Sequence, residues 1–150
     1  MSATSAITQL DTLQINNQVI STFANNDCGK VTFPNELVEI DVGKNGNVLA
    51  AINFKGFICD FEIRLVMGAS DDQYLNGLLN QFMSGSPSFN TGFFTKNFVD
   101  ANSNVVSASI SVQGGFIQKA PEMIISANGN IEQTVALWKL RFGYWNRVVS

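Results

Sequence analysis

The sequence predicts a mainly β (α+β) fold: an antiparallel β-sandwich or barrel with one flanking α-helix at about residues 70–83. Three observations carry this. A strand runs directly into an amphipathic helix between Phe57 and Met83, turn-forming clusters separate successive strand-like runs elsewhere, and no second helical period is visible. In the strand, Cys59, Phe61, Ile63, Leu65 and Met67 alternate with Asp60, Glu62 and Arg64, so one face is apolar and the other charged. At Ser70 the period changes. Ser70 and Gln73 form an S-x-x-Q capping box, Asp71 and Asp72 complement the positive end of the helix dipole, and Tyr74, Leu75, Leu78, Leu79 and Phe82 make one apolar stripe. Gly85 and Pro87 end the helix.

The remaining elements follow the same logic. Asn16 to Ala24 and Gly29 to Phe33 read as strands around Asn25-Asn26-Asp27, with Pro34 closing the second. Leu37 to Val42 and Val48 to Phe54 flank Gly43-Lys44-Asn45-Gly46-Asn47, residues that accept positive φ and so predict a hairpin. Asn90 to Val99 and Val105 to Val112 flank a second polar tip at residues 100–104. Glu122 to Ser126 and Ile131 to Phe142 surround Asn128-Gly129-Asn130 as a third. Gly114-Gly115 predicts a bulge or bend. In the last strand Ala136, Trp138, Leu140 and Phe142 share one face, and Val135, Leu137, Lys139 and Arg141 the other, so both faces are partly apolar.

Composition narrows the function. The chain of 150 residues fits one domain, residues 1–150, with residues 1–13 as an arm whose order is left open. Charged residues are only 14% of the total and the net charge is −3, so no basic footprint for sequence-specific nucleic-acid binding exists. No segment approaches the roughly 20 apolar residues of a membrane span, and the N-terminus lacks a basic, apolar leader, so the expectation is a cytosolic product with no membrane anchor. Cys28 and Cys59 belong to no C-x-x-C or Cys/His set and read as buried free thiols rather than a disulfide.

Catalytic chemistry finds little to stand on. There is no histidine, which removes histidine-based triads and the commonest zinc ligand. Gly43-Lys44-Asn45-Gly46 lacks the Gly-Lys-Ser/Thr of a phosphate loop and reads as a turn. Asp71-Asp72 read as helix-start residues rather than metal ligands, and Asp60 and Glu62 as a charged face shared with Arg64. The expectation is a non-enzyme with no cofactor and no metal. The strand Val105 to Val112 is more suggestive. Ser107, Ser109 and Ser111 share one small, polar face, either ordinary solvent-facing surface or a wall past which something slides or a neighbour packs.

Three blocks together, GKNGNVLAAIN, FEIRLVMGASDDQYLNGLLNQ and GNIEQTVALWKLRFG, resemble the tail-tube proteins of contractile-tailed bacteriophages, over roughly residues 20 to 150. The resemblance implies a virion protein made in the host cytoplasm. Such subunits form hexameric rings, stacked into a hollow tube that conducts DNA without sequence-specific binding, with sheath, tape-measure and baseplate proteins as partners. On that reading the lumen candidates are Asp60, Glu62, Ser107, Ser109 and Ser111. The inter-ring contact candidates are Lys44, Asn45 and Gly46 at one hairpin tip and Ala101, Asn102 and Ser103 at the other. The same fold serves tube initiators, terminators and baseplate rings. A ligand-binding, carbohydrate-stacking β-sandwich using Trp138 or Trp145 is the alternative from another class.

Overall fold

The computed structural model describes residues 3–7, 11–24, 28–85, 89–99, 101–128 and 131–149. The Asn25-Asn26-Asp27 loop, Pro87, Asp100 and the Gly129-Asn130 turn of the sequence reading lie outside these residues. Ten strands and one α-helix are described: β1 (Ala3–Ile7), β2 (Thr12–Ile15), β3 (Gln18–Ile20), β4 (Gly29–Phe33), β5 (Val38–Val42), β6 (Val48–Ile52), β7 (Cys59–Val66), α1 (Ser70–Met83), β8 (Asn90–Val99), β9 (Val105–Asn128) and β10 (Ile131–Val149). A 3-10 turn at Phe54–Phe57 precedes β7.

Eight strands form one sheet in the order β1-β4-β7-β10-β9-β8-β2-β3, and β5 and β6 form a separate hairpin. Every pairing is antiparallel. The expected β-rich class with one helix at residues 70–83 is what the chain adopts. The alternation along β7 is complete: Cys59, Phe61, Ile63 and Leu65 are buried, and the residues between them are partly exposed. Their buried face joins Trp138, Leu140 and Phe142 of β10, Phe94 of β8, Ile110 and Val112 of β9 and Leu75 of α1 in one core. Burying a side chain such as Leu75 contributes roughly 1.5–3 kcal/mol.

Several boundaries differ from the sequence reading, for identifiable reasons. Residues 16–24 do not form one strand. Asn16 and Asn17 both adopt positive φ (51° and 67°), a conformation asparagine tolerates, and turn β2 tightly into β3. Ala3–Ile7, inside the segment read as an arm, pairs with β4 at the sheet edge, and Ile7 is buried. β6 stops at Ile52 because Asn53 turns the chain, its side chain accepting from the Lys55 amide. The two strands expected at 105–112 and 122–126 are one strand, β9.

Gly114-Gly115 nevertheless interrupts that strand's pairing. Asn90 faces Gly115 while Gly92 faces Val112, so β9 carries one extra residue there, with Gly114 at φ 69°. Gly115 has a second task. A Cβ at that position would lie 2.1 Å from the Phe142 ring, so only glycine lets this ring cover the strand. Opposite the bulge, Gly143 and Tyr144 separate Phe142 from Trp145, and both of these rings pack on the core.

Candidate assembly surfaces

The start of α1 is built differently from its sequence signature. Ala69, not Ser70, occupies the cap position, and no side chain caps it. Gln73 donates its side-chain amide to the Gly68 carbonyl, and Asp72 accepts from the Gly68 amide. The aspartates do more than complement the dipole. Asp71 is buried and one of its oxygens accepts from the Ser21 and Thr22 amides and the Thr22 hydroxyl, at 2.7–2.9 Å. Asp72 accepts from the Trp138 indole at 2.8 Å. Both carboxylates therefore fasten the helix to the sheet, and the described residues contain no cluster of three metal-ligating side chains.

The two tryptophans are committed internally. Trp138 is fully buried, and Trp145 donates to the Gly56 carbonyl at 3.0 Å while its ring lies 4.6 Å from Phe33. Neither indole stands free as a stacking platform for a sugar. Cys28 and Cys59 are buried free thiols. Burial, with a smaller push from the neighbouring Asp60 charge, raises the Cys59 thiol to about 12, so it is held as an unreactive thiol.

Among the described residues, the β5–β6 hairpin is the most exposed structured element. All ten strand residues are exposed. The cross-strand pairs Val38–Ile52, Ile40–Ala50 and Val42–Val48 place six apolar side chains on one face, and their large members are 43–68% exposed. Glu39, Asp41, Leu49 and Ala51 occupy the other face. At its root the hairpin is held firmly. Asn53 bonds Leu37 and Glu36, Asn35 bonds the Lys55 carbonyl, and Gly56 packs so closely on Glu36 and Leu37 that a Cβ would meet the Glu36 carbonyl at 2.5 Å. Trp145 ties that root to β10. Of the proposed contact residues, Lys44, Asn45 and Gly46 form its exposed tip, closed by the Gly43–Asn47 and Gly46–Gly43 hydrogen bonds. Ala101, Asn102 and Ser103 form the exposed tip between β8 and β9, with Ser103 at φ 63°.

The lumen candidates divide into two groups on the side of the sheet away from the core. Ser107, Ser109 and Ser111 face Asn97, Thr95 and Phe93 of β8; Ser107 donates to Asn97 at 2.7 Å, and the Ser109 and Thr95 hydroxyls lie 3.4 Å apart. Of the residues expected on the opposite face, Ile110 and Val112 are buried, while Val106 and Ala108 are half-buried like Ser107 and Ser109. Asp60 and Glu62 stand elsewhere, against β4 and β10. Asp60 accepts two hydrogen bonds from Arg141, at 2.8 and 2.9 Å, and this pairing raises the guanidinium's affinity for its proton against the smaller opposing effect of burial. Glu62 lies 3.8 Å from Lys30.

Pairing registers set these charges in rows across four strands. Lys30, Glu62, Lys139 and Lys119 are consecutive partners, and Thr32, Asp60 and Arg141 form the next row. The rows line a shallow concavity of about 300 Å³. Four cations surround two carboxylates, so this face is net positive in a net negative chain, not the mildly acidic wall that Asp60 and Glu62 alone suggest. Lys119 and Lys139 lie directly opposite each other, and among the described residues neither has a partner. Sequence reasoning missed this row. The alternation of Lys139 and Arg141 hinted at it, but assembling it requires the β4-β7-β10-β9 order.

No protein-family model matches the sequence, and no curated protein matches it.

Proposed function

We propose that the chain is a self-assembling structural subunit of a phage tail tube, forming stacked hexameric rings around a channel for DNA, and that it has no catalytic role. The observation that carries this reading is the β5–β6 hairpin, whose six-residue apolar face lies in water. An isolated two-stranded hairpin is marginal in water, and contiguous exposed apolar surface on a folded domain marks a contact surface. Here the root is locked and the strands bare, the arrangement of an arm preorganised for a neighbour. A head-to-tail contact between arm and body closes into a ring or propagates as a filament. The likeness of three sequence blocks to tail-tube proteins supplies the kind of assembly.

Within such a tube the serine face at Ser107, Ser109 and Ser111 suits the channel better than Asp60 and Glu62. Neutral hydroxyls release no counterions from phosphates, whereas the lysines around Asp60 and Glu62 would hold them that way. The carbohydrate-binding alternative has less support, because Trp138 is fully buried and the Trp145 ring packs on Phe33 and the core.

Negative-stain electron microscopy over a concentration series, with light scattering for mass, tests the reading. Hollow stacked tubes are the expected result. Isolated rings that never stack would point to an initiator, terminator or baseplate ring of the same fold. Monodisperse monomers at every concentration would overturn assembly altogether.

A further inference from the structure

We infer that the cationic row Lys30–Lys139–Lys119 with Arg141 receives the acidic face of the β5–β6 hairpin, carrying Glu39 and Asp41, from a second copy of this chain. The inference rests on the self-assembly reading and names the surfaces that meet.

The chain's charge is partitioned in a way that folding alone does not require. Between Glu36 and Lys44 three carboxylates face one ammonium, and Glu39 and Asp41 share one exposed face of β5. On the sheet, four cations surround two carboxylates, each of which is already matched, Asp60 by Arg141 and Glu62 by Lys30. The surplus is the Lys119–Lys139 pair. Like charges directly opposite on neighbouring strands destabilise a sheet. Lys139 also faces Glu62 on β7, which offsets part of this cost, and the excess of two positive charges on the face remains. Such a conflict has a rationale if an anionic group completes the site.

Geometry favours a strand as the source of that group. Glu39 and Asp41, two residues apart on an extended chain, project carboxylates about 7 Å apart. Lys119 and Lys139 present ammoniums from adjacent strands about 5 Å apart, on flexible stems that span the difference. Within one chain the hairpin strands are exposed, so its acids do not satisfy this row intramolecularly. The two surfaces are different patches of one molecule. A contact between two different patches permits a heterologous arrangement, the type that builds rings and filaments. Each exposed ion pair contributes little alone, but the assembly repeats it at every subunit and uses it to set register and partner.

A charge swap tests the contact. One variant carries Glu39→Lys with Asp41→Lys, the other Lys119→Glu with Lys139→Glu, and thermal melts first establish that each folds. Each variant alone should need a concentration on the order of tenfold higher than wild type to assemble by light scattering. An equimolar mixture should assemble near the wild-type concentration, because swapped hairpins meet swapped rows and native hairpins meet native rows. Variants that each assemble like wild type, or a mixture no better than its components, would overturn the inference while leaving the tube reading in place. Monomers from wild type under all conditions would instead remove the tube reading on which it rests.

Discussion

Asp72 and Trp138 are 66 residues apart and joined by one 2.8 Å hydrogen bond, which fixes the first turn of α1 over the middle of β10. Asp71, its neighbour, fixes the same turn to the end of β3 through three donors. Helix position thus depends on two adjacent carboxylates reaching in different directions. Asp72→Ala leaves a buried indole N–H without an acceptor and should cost about 1–3 kcal/mol. Asp71→Ala strands two backbone amides and a hydroxyl and should cost more. Chemical denaturation checks both; equal and negligible losses would mean that α1 docks through its apolar stripe alone.

That stripe is graded. Leu75 is fully buried, Tyr74, Leu78 and Leu79 are partly buried against the core, and Phe82 is 50% exposed beside Phe116. Leu75→Ala should therefore cost about 2–5 kcal/mol, and Leu79→Ala distinctly less. Urea midpoints of the two variants decide it, and the reverse order would contradict the docking geometry.

Glycine positions separate close approach from mere permissiveness. At Gly29, φ is 128° and a Cβ would lie 1.9 Å from the Glu62 carbonyl where β4 meets β7. Gly29→Ala should prevent folding or lower the melting temperature severely. At Gly77, in the exposed middle of α1, a Cβ meets nothing within 4 Å, so Gly77→Ala should stabilise by about 1 kcal/mol through helix propensity. Thermal melts of the pair should move in opposite directions.

How much of this was legible beforehand depends on range. The helix at 70–83, the apolar alternation of β7 and the two partly apolar faces of β10 are local patterns, and the chain adopts them, with the strand beginning at Cys59 after a 3-10 turn rather than at Phe57. The roles of Asp71 and Asp72 were not legible, because a helix-start acid and a tertiary clamp share one sequence signature. The Asn16-Asn17 turn was hidden inside a strand-like run, although two adjacent asparagines that tolerate positive φ were the available clue. For Asp60 and Glu62 the alternation placed the side chains on the correct face, but their surroundings depend on which strands lie beside β7. Register between distant strands is set by the whole sheet, so the cation row could not be assembled from spacing.

The Cys59 thiol gives a pH dependence with a definite sign. Its value in the fold is about 12, raised by burial and then by Asp60, against roughly 8.5 in an unfolded chain. Above that lower value the unfolded state loses its proton first and binds fewer protons than the native state. Stability therefore falls as pH rises between about 8.5 and 12, by about 2 kcal/mol at pH 10 from this group. Urea midpoints at pH 8 and pH 10 should differ more in wild type than in Cys59→Ala. Equal slopes in the two proteins would mean that the thiol ionises as readily in the fold as outside it.

The apolar face of the β5–β6 hairpin makes the sharpest separation between folding and assembly. Ile40 is 68% exposed, at the centre of that face opposite Ala50. Replacing it removes almost no core contact, so Ile40→Asp should leave the monomer's stability within about 0.5 kcal/mol of wild type. In an assembly that covers this face, the same substitution buries an unpaired carboxylate, which costs far more than the lost apolar contact. Ile40→Asp should then stay monomeric at concentrations where wild type polymerises, with an unchanged melting curve in the dispersed state. Polymerisation indistinguishable from wild type would show that the hairpin face stays in water in the assembled protein. A coincident loss of stability would show that Ile40 serves the monomer's own fold.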